Sequence, residues 1–373
     1  MVSAQGKTIT EGAVSIILPR QTEKISREQE VFYKPVMRLK RDLTVLMCKV
    51  ERPGSFADPM CATGVRALRV IKEASVGKIR MNDISADAIA LAKKNAEMNG
   101  ISGDVSFSND DANSFILAST GFDYIDIDPF GSPNPFLQSA ILRASRGGMI
   151  AVTATDTAPL SGTFPMACQR NYWAKPLRTE IMHEAGLRIL IRKVQLVATQ
   201  FEKALVPVFS YSREHYFRIF FKVVKGKEAC DKIIDKHSNL LFSTKTGESA
   251  FENRMRKDQI DRKYFDMSAG PMWSGEMIDE KTAIEMQSLA KDDANISSET
   301  KKLIDLIAGE SRLSANIFVD LHQLVKRNKL ELKKTDRIID MIRSRGYSAV
   351  KSHFEDVSIR TDMPYCELLE LFK

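Results

Sequence analysis

From residue 56 to about residue 225, short apolar runs alternate with amphipathic stretches of helical length. No other feature restricts the fold as much. The spacing predicts strands over 55–59, 78–82, 105–109, 124–128 and 149–153, and helices over 65–74, 86–98 and 135–144. Strands separated by helices pair in parallel, and the helices cover both faces of the sheet. Two later strands, expected over 188–198 and 215–224, would complete the sheet with an antiparallel edge. The expected class is therefore α/β, with a Rossmann-like sheet.

The flanks read differently. Ahead of the alternation come a strand-like piece over 13–18 closed by Pro19, the turn Val31-Phe32-Tyr33-Lys34-Pro35, and an amphipathic helix running through Arg41-Asp42-Leu43 to Val50. Residues 230–300 are mixed and polar, so a domain boundary is expected near 225, dividing the chain into 1–225 and 226–373. The second part is expected to be an α+β domain. Near its end, helices are predicted over 320–328 and 334–344, the latter with Ile338, Ile339 and Ile342 on one face and Gly346 as its stop. Two short strands, over 348–353 and 357–360, follow around Glu355-Asp356. Helix, turn, helix and hairpin is a winged-helix-like order, in which the second helix is the natural groove reader.

Charge follows this division. The chain carries a net +7. Between Leu321 and Lys351, nine basic residues stand against three acidic ones, so +6 of that charge lies in one stretch. Lys333, Lys334 and Arg337 are at its centre. A polyanionic partner is one reading, and a solvated helical face is the other. At 373 residues and 43% apolar, the chain supports two or three cores. It contains no apolar run of membrane-spanning length, and its first residues lack the apolar segment of a signal peptide, so no membrane association and a cytoplasmic location are expected. The five cysteines form no CxxC pair and no cluster with histidine, so neither disulfides nor a metal site are expected. Most should be small core residues.

Doubly wound sheets bind ligands at the carboxyl ends of their strands, so the residues after each strand carry the functional information. The first strand leads into Asp58-Pro59-Met60-Cys61-Ala62-Thr63-Gly64-Val65-Arg66. Small residues there let the backbone approach a ligand at a helix N-terminus. The run is not GxGxxG, which disfavours a nicotinamide dinucleotide. The second strand ends at Asn82-Asp83-Ile84-Ser85, about 20 residues on, where a carboxylate usually grips a ribose diol. Asp83 could instead cap the next helix, but Ser85 is equally able to do so. The third ends at Asp110-Asp111-Ala112, where a carboxylate can accept from an adenine amine.

The fourth strand is the most informative, reading Tyr124-Ile125-Asp126-Ile127-Asp128-Pro129-Phe130-Gly131. Asp126 and Asp128 interrupt an apolar strand and share a face. Buried carboxylates are costly without a task. Acid-Pro-aromatic after the fourth strand is the arrangement of the amino-methyltransferases with an Asn/Asp-Pro-Pro-Tyr/Phe motif, and its residue types suit that chemistry. An exocyclic amine is a poor nucleophile, because its lone pair is delocalised into the ring. A carboxylate accepting its N–H localises the lone pair and supports the positive charge that develops. Asp128 is the candidate carboxylate, and Phe130, beyond Pro129, is the candidate stacking partner of the base.

The longer runs carry a more specific resemblance. Residues 126–133 and the run Val152-Thr153-Ala154-Thr155-Asp156-Thr157-Ala158-Pro159-Leu160 resemble the tRNA (guanine-26-N2)-dimethyltransferases. So do Glu11-Gly12, Phe32-Tyr33-Lys34-Pro35, Arg41-Asp42, 62–66, 82–85, 110–112, Arg178-Thr179-Glu180, His215-Tyr216-Phe217-Arg218 and Gly270-Pro271-Met272-Trp273. The similarity extends over essentially the whole chain. It implies a seven-stranded methyltransferase sheet, S-adenosyl-L-methionine as cofactor, tRNA as partner, and methylation of guanine N2; a monomer is expected. It implies Asp128 as the catalytic carboxylate, with Phe32 and Phe130 holding the base. Around the cofactor it implies Arg41, Arg66, Asp83, Asp111 and Ala112, with Asp110 beside them. Two departures stand out. The family often has Asn where this chain has Lys34 and Lys40. The cysteine pairs that look zinc-binding in some members are absent. Rival readings are an amino-methyltransferase for another RNA base and a nucleic-acid-binding protein without activity.

Overall fold

The structure is a computed structural model describing residues 7–18, 33–256, 260–261 and 263–373. In chain order it begins with β1 (Thr8–Glu11), β2 (Val14–Ile17), α1 (Arg38–Glu51), β3 (Ser55–Asp58), α2 (Val65–Ala74), β4 (Lys78–Asn82) and α3 (Ala86–Met98). It continues with β5 (Asp104–Ser108), α4 (Ala112–Leu117), β6 (Phe122–Ile127), α5 (Asn134–Arg143) and β7 (Ala144–Ala154). Then come α6 (Thr157–Leu160), α7 (Pro165–Tyr172), α8 (Met182–Thr199), β8 (Lys203–Arg213), β9 (Tyr216–Lys225) and α9 (Lys227–Ile234). The remainder comprises β10 (His237–Phe242), β11 (Ser249–Phe251), β12 (Met267–Trp273), α10 (Glu280–Lys291), α11 (Ser298–Glu310), β13 (Val319–Asp320), α12 (Leu321–Asn328), α13 (Thr335–Ser344), β14 (Ala349–Lys351), β15 (Ser358–Thr361) and α14 (Tyr365–Glu370).

The large sheet has seven strands in the order β5-β4-β3-β6-β7-β9-β8. Pairings among β3 to β7 are parallel, and β8 pairs with β9 antiparallel. Strand order runs outward from β3 in one direction and from β6 in the other. The switch point therefore lies between these two strands, where this architecture places its ligands. Phe56, Ile79, Met81, Tyr124, Ile125 and Ile127 are all fully buried, which is why these strands read as continuous apolar runs.

One expected strand is a helix. Residues 188–198 lie inside α8, which is buried along most of its length. Its run Ile189-Leu190-Ile191 imitates a buried strand, although Glu184, Arg188, Arg192 and Gln195 recur at helical spacing. The antiparallel edge is made by β8 and β9 instead. Pro207 sits within β8 at a register shift between Pro207 and Phe209. It is tolerated because β8 is the last strand in the order and the register shift lies beside it.

The chain forms two compact units, one of Met1–Pro129, Pro135–Val152 and Ile284–Ile304, the other of Phe130–Asn134, Thr153–Ala283 and Asp305–Lys373. In the first, α3 offers Asn95 and Asn99 to the β2 backbone. Ile17 N–H donates to Asn95 Oδ1 at 2.8 Å, Ser15 N–H to Asn99 Oδ1 at 2.9 Å, and Asn99 Nδ2 to Ser15 O at 2.6 Å. These amides stand where a neighbouring strand would, so the hairpin is anchored without joining the large sheet. In the second unit, β13, β15 and β14 form a small antiparallel sheet. Leu321, Leu324, Ile338, Ile342 and Ile359 share one core with Leu368. The helices and strands expected from 320 to 360 are present there, with bounds shifted by a few residues.

Candidate active site

The site of the first unit is built on the ends of β3 and β6. Gly64, at φ +76°, opens α2, and Arg66 follows on its first turn, buried. Its guanidinium collects three carboxylates. Arg66 Nη1 lies 3.1 Å from Asp126 Oδ1 and 3.5 Å from Asp58 Oδ1, and Nη2 pairs with Asp128 Oδ2. Asp126 and Asp128 meet the same cation because they share a face of their strand. From α1, Lys40 Nζ reaches Asp128 Oδ1 at 2.6 Å. Lys40 itself is buried. Among the described residues, two cations thus face three carboxylates in an enclosed site.

Asp58 shows the consequence. It is fully enclosed, and among the described residues neither of its carboxylate oxygens accepts a hydrogen bond. Burial pushes its pKa up to about 7, against the attraction of Arg66 and with help from the negative charges of Asp126, Asp128 and Asp83.

The next two strand ends are more structural than their sequence suggests. Asp83 accepts from Ala62 N–H at 2.9 Å and from Ser85 N–H at 3.0 Å, so it is not unengaged. It ties the turn after β3 to the end of β4. Ser85 is the cap of α3, accepting from Ala88 N–H at 3.3 Å. A carboxylate has about four lone-pair sites, so Asp83 retains capacity for a ligand hydroxyl. Asn109 Nδ2 braces the same turn by donating to the carbonyls of Asp83 and Ile84 at 2.8 and 2.9 Å. Ile84 is left 78% exposed, a large apolar side chain next to Asp83. Buried Asn82 holds Asp110 through both of its backbone groups. Asp111 caps α4, accepting from Asn113 and Ser114 N–H at 2.9 and 3.2 Å, and Ala112 begins that helix buried.

Arg41 is engaged elsewhere. Its Nε donates to Glu11 Oε1 at 2.7 Å and its Nη2 to Glu11 Oε2 at 2.5 Å, and the guanidinium lies 5.0 Å from the Tyr33 ring centroid. Burial alone would raise the Glu11 carboxyl, but Arg41, Arg69 and the Tyr33 hydroxyl outweigh it and hold it below the ordinary range. Asp42 binds Arg69 at 2.5 Å and accepts from Ser297 N–H and Thr300 Oγ1. The pair Arg41-Asp42 therefore anchors α1, while Lys40 beside it faces Asp128. Phe32 lies outside the described residues.

In the second unit, the loop 130–134 carries Phe130, which is 70% exposed. The loop is fastened from below. Gly131 N–H donates to Thr155 Oγ1 at 2.6 Å, and Thr155 N–H returns a bond to Gly131 O at 3.0 Å. Tyr172 OH lies 3.0 Å from Ser132 Oγ and donates to the Asp156 carboxylate. The run 152–160 thus supplies struts for the aromatic loop. Of the basic trio, Lys334 and Arg337 are exposed, whereas Lys333 Nζ donates to Leu371 O at 2.5 Å and lies 5.9 Å from the Phe372 ring centroid.

Asp58, Lys40 and Ile84 were not singled out as site residues from sequence. Asp58 ends its strand as Asp83 and Asp128 end theirs, and that position was the available signal. Lys40 stood out only as a departure from the family pattern, with no sign of its partner, which is 88 residues away. Among the described residues, no group of three or more His, Cys, Asp or Glu could hold a metal ion, and no helix is long and apolar enough to cross a membrane.

A mostly parallel sheet whose switch point is lined with carboxylates defines an α/β enzyme of the Rossmann-like methyltransferase class. A family model described as N2,N2-dimethylguanosine tRNA methyltransferase matches residues 12–373, and the chain belongs to that family. A relative from Aquifex aeolicus, named tRNA (guanine(26)-N(2)/guanine(27)-N(2))-dimethyltransferase, is 37% identical over 97% of this chain and 94% of its own length. One from Pyrococcus horikoshii, named tRNA (guanine(26)-N(2))-dimethyltransferase, is 34% identical over the full length of both. The solved structure of Trm1 from Pyrococcus horikoshii with S-adenosyl-L-methionine superimposes with a TM-score of 0.88 at 34% identity, covering 98% of this chain and all of its own.

Proposed function

We propose that this chain methylates the N2 amine of guanine 26 in tRNA, giving N2-methyl- and N2,N2-dimethylguanine. The observation that carries this reading is the convergence of Asp58, Asp126 and Asp128 on Arg66, with Lys40 closing on Asp128. S-adenosyl-L-methionine, when bound, supplies the methyl group. The residues present fit it: Asp58 holds two buried oxygens that accept no hydrogen bond among the described residues, suited to an ammonium. Asp83 would take the ribose diol, Ile84 one face of the adenine, and Asp110, Asp111 and Ala112 its edge. Arg66 and Arg41 complete the proposed set, Arg41 by fixing α1.

Asp128 is the proposed catalytic group. Accepting an N–H of the amine, it localises the nitrogen lone pair and balances the positive charge that develops there. It then takes the proton released. Lys40 and Arg66 hold the carboxylate in place. Pro129 fixes the turn into Phe130, which stacks on the base, and Phe32 is assigned its other face by the family resemblance. The proposed domains are 1–225 for cofactor and chemistry and 226–373 for tRNA. In the second, the winged-helix-like segment presents Lys333, Lys334 and Arg337 to phosphates. The enzyme is proposed to act as a cytoplasmic monomer.

Mass mapping of nucleosides from tRNA incubated with the protein and labelled cofactor tests the reading. Label in N2-methylated guanine at position 26 is expected, and label elsewhere or none defeats it. Reversing Lys333, Lys334 and Arg337 to Glu should weaken tRNA binding and flatten its dependence on salt, while cofactor affinity stays unchanged.

A further inference from the structure

Trp173 is an unusual residue for its position. It ends α7 at φ +56°, a left-handed conformation that a helix end normally gives to glycine. A bulky side chain there carries a backbone cost of about 1 kcal/mol or more. It is nevertheless 47% exposed, so core packing does not account for it. The indole is held in place instead. Lys193 Nζ lies 2.9 Å from the ring centroid, covering one face, and Arg192 Nη1 donates to the Trp173 carbonyl at 3.2 Å. The exposed part of the ring is then its other face and edge.

The surroundings point to one kind of partner. Phe164, at the opposite end of α7, and Met166 on its first turn are also large, apolar and exposed. Nine residues separate Phe164 from Trp173, about 13 Å along a helix, the span of three or four stacked nucleotides at about 3.4 Å each. From Thr157 to Thr179 there is no acidic side chain. Arg170, Lys175 and Arg178 lie in this stretch, all exposed. Aromatic platforms interleaved with exposed cations suit single-stranded nucleic acid. The same helix is fastened to the loop carrying Phe130. Asn134 Nδ2 donates to Asn171 O at 2.8 Å, and Ser132 Oγ meets Tyr172 OH at 3.0 Å.

We infer that α7 and its two aromatic ends form a docking face for tRNA nucleotides flanking the target guanine, with Trp173 stacking on a base and Arg170, Lys175 and Arg178 meeting phosphates. This rests on the tRNA reading above. Phe130 and Trp173 then belong to one hydrogen-bonded framework that presents the substrate strand.

The chain has two tryptophans, and Trp273 is only 3% exposed with its Nε1 bonded to Glu276 O. Emission lost in Trp173→Phe therefore reports position 173. On titration with tRNA, wild-type emission should be quenched over the binding range, and that quenching should be mostly absent in Trp173→Phe. Trp173→Gly keeps the backbone comfortable at positive φ, so it should fold at least as well by thermal unfolding. Its KM for tRNA should rise about tenfold, with kcat and cofactor affinity within about twofold of wild type. Trp173→Phe should recover most of the loss. A Trp173→Gly variant with unchanged KM overturns the inference, as does one whose only change is in oligomeric state, which would make this face a protein interface. If wild type itself fails to methylate tRNA, the functional reading falls first, and the two failures are thereby distinguished.

Discussion

Two of the buried ionic clusters among the described residues differ in how their carboxylates are bonded. In the second unit, Glu184 and Glu310 face Arg188, Arg360 and His353, all enclosed. Glu184 Oε1 accepts from Arg188 and Arg360, and its Oε2 from Phe318 N–H at 3.1 Å. Glu310 accepts from His353 N–H and Nδ1 at 2.6 and 2.7 Å, from Arg360 Nε at 2.8 Å and from Ser352 Oγ at 3.1 Å. Burial works against the Glu310 carboxylate, but His353 and Arg360 outweigh it and bring its pKa down to about 2. Beside Arg66, by contrast, Asp58 accepts no hydrogen bond among the described residues, and burial raises its pKa to about 7. Carboxylates that are fully bonded hold elements in register. A buried carboxylate such as Asp58, which accepts no hydrogen bond among the described residues, keeps the capacity to meet a positive group.

Removing a charge from each cluster should separate the two roles. Glu310→Gln is expected to cost about 3–5 kcal/mol in denaturant unfolding, because Arg360 is left buried with half its compensation. Cofactor affinity of the folded protein should not change. The sign with pH follows from the lowered carboxyl. In wild type the contribution of Glu310 is present above the unfolded value of 4.5 and is lost as pH falls towards 2. A variant unfolding with the same acid limb as wild type would contradict this.

Asp128→Asn keeps shape and one acceptor oxygen but removes the charge. Its single-turnover rate at saturating tRNA and cofactor should fall by about 10²-fold or more, with both affinities near normal. A near-normal rate would remove Asp128 from the mechanism. Lys40→Met should be milder, about tenfold in the same rate with KM for tRNA unchanged, since Arg66 still holds Asp128. Loss confined to cofactor binding would show that Lys40 serves the cofactor rather than the carboxylate.

Asp58→Asn gives the smallest and most diagnostic change. Because its folded pKa is raised, the native state holds a proton that the unfolded chain releases between about pH 4 and 7. Wild type therefore loses stability as pH rises through that window, and the variant does not. Asn should match wild type near pH 4 and exceed it by about 1 kcal/mol at pH 8, where removal of the desolvated charge outweighs the lost ion pair with Arg66. Equal stability at both pH values would mean that Asp58 is solvated in the native protein.

How far each feature could be read in advance depends on whether its cause is local. The strands β3, β4 and β6 and the helices α2 and α3 announce themselves, since burial pattern and chain period are properties of the segment. Asp126 and Asp128 could be placed on one face for the same reason. The segment 188–198 is misread because its short apolar run suits a strand as well as a helix, and polar residues spaced at the helical period, Arg188, Arg192 and Gln195, are the signal that distinguishes the helix. β8 was hidden by Pro207, acceptable only on a strand that turns out to be an edge.

The sequence by itself determined the sheet-and-helix alternation, the acids at the strand ends and the family to which their motifs point. Only the tertiary structure decided which of those acids are already occupied. Asp111 caps its own helix, Asp83 braces a turn, and Arg41 closes on Glu11. It also brought Lys40 to Asp128 across 88 residues and left Asp58 without a hydrogen-bond donor among the described residues. Periodicity is written into neighbouring residues. The charge state and partners of a buried group are set by whichever distant segments close around it and exclude water.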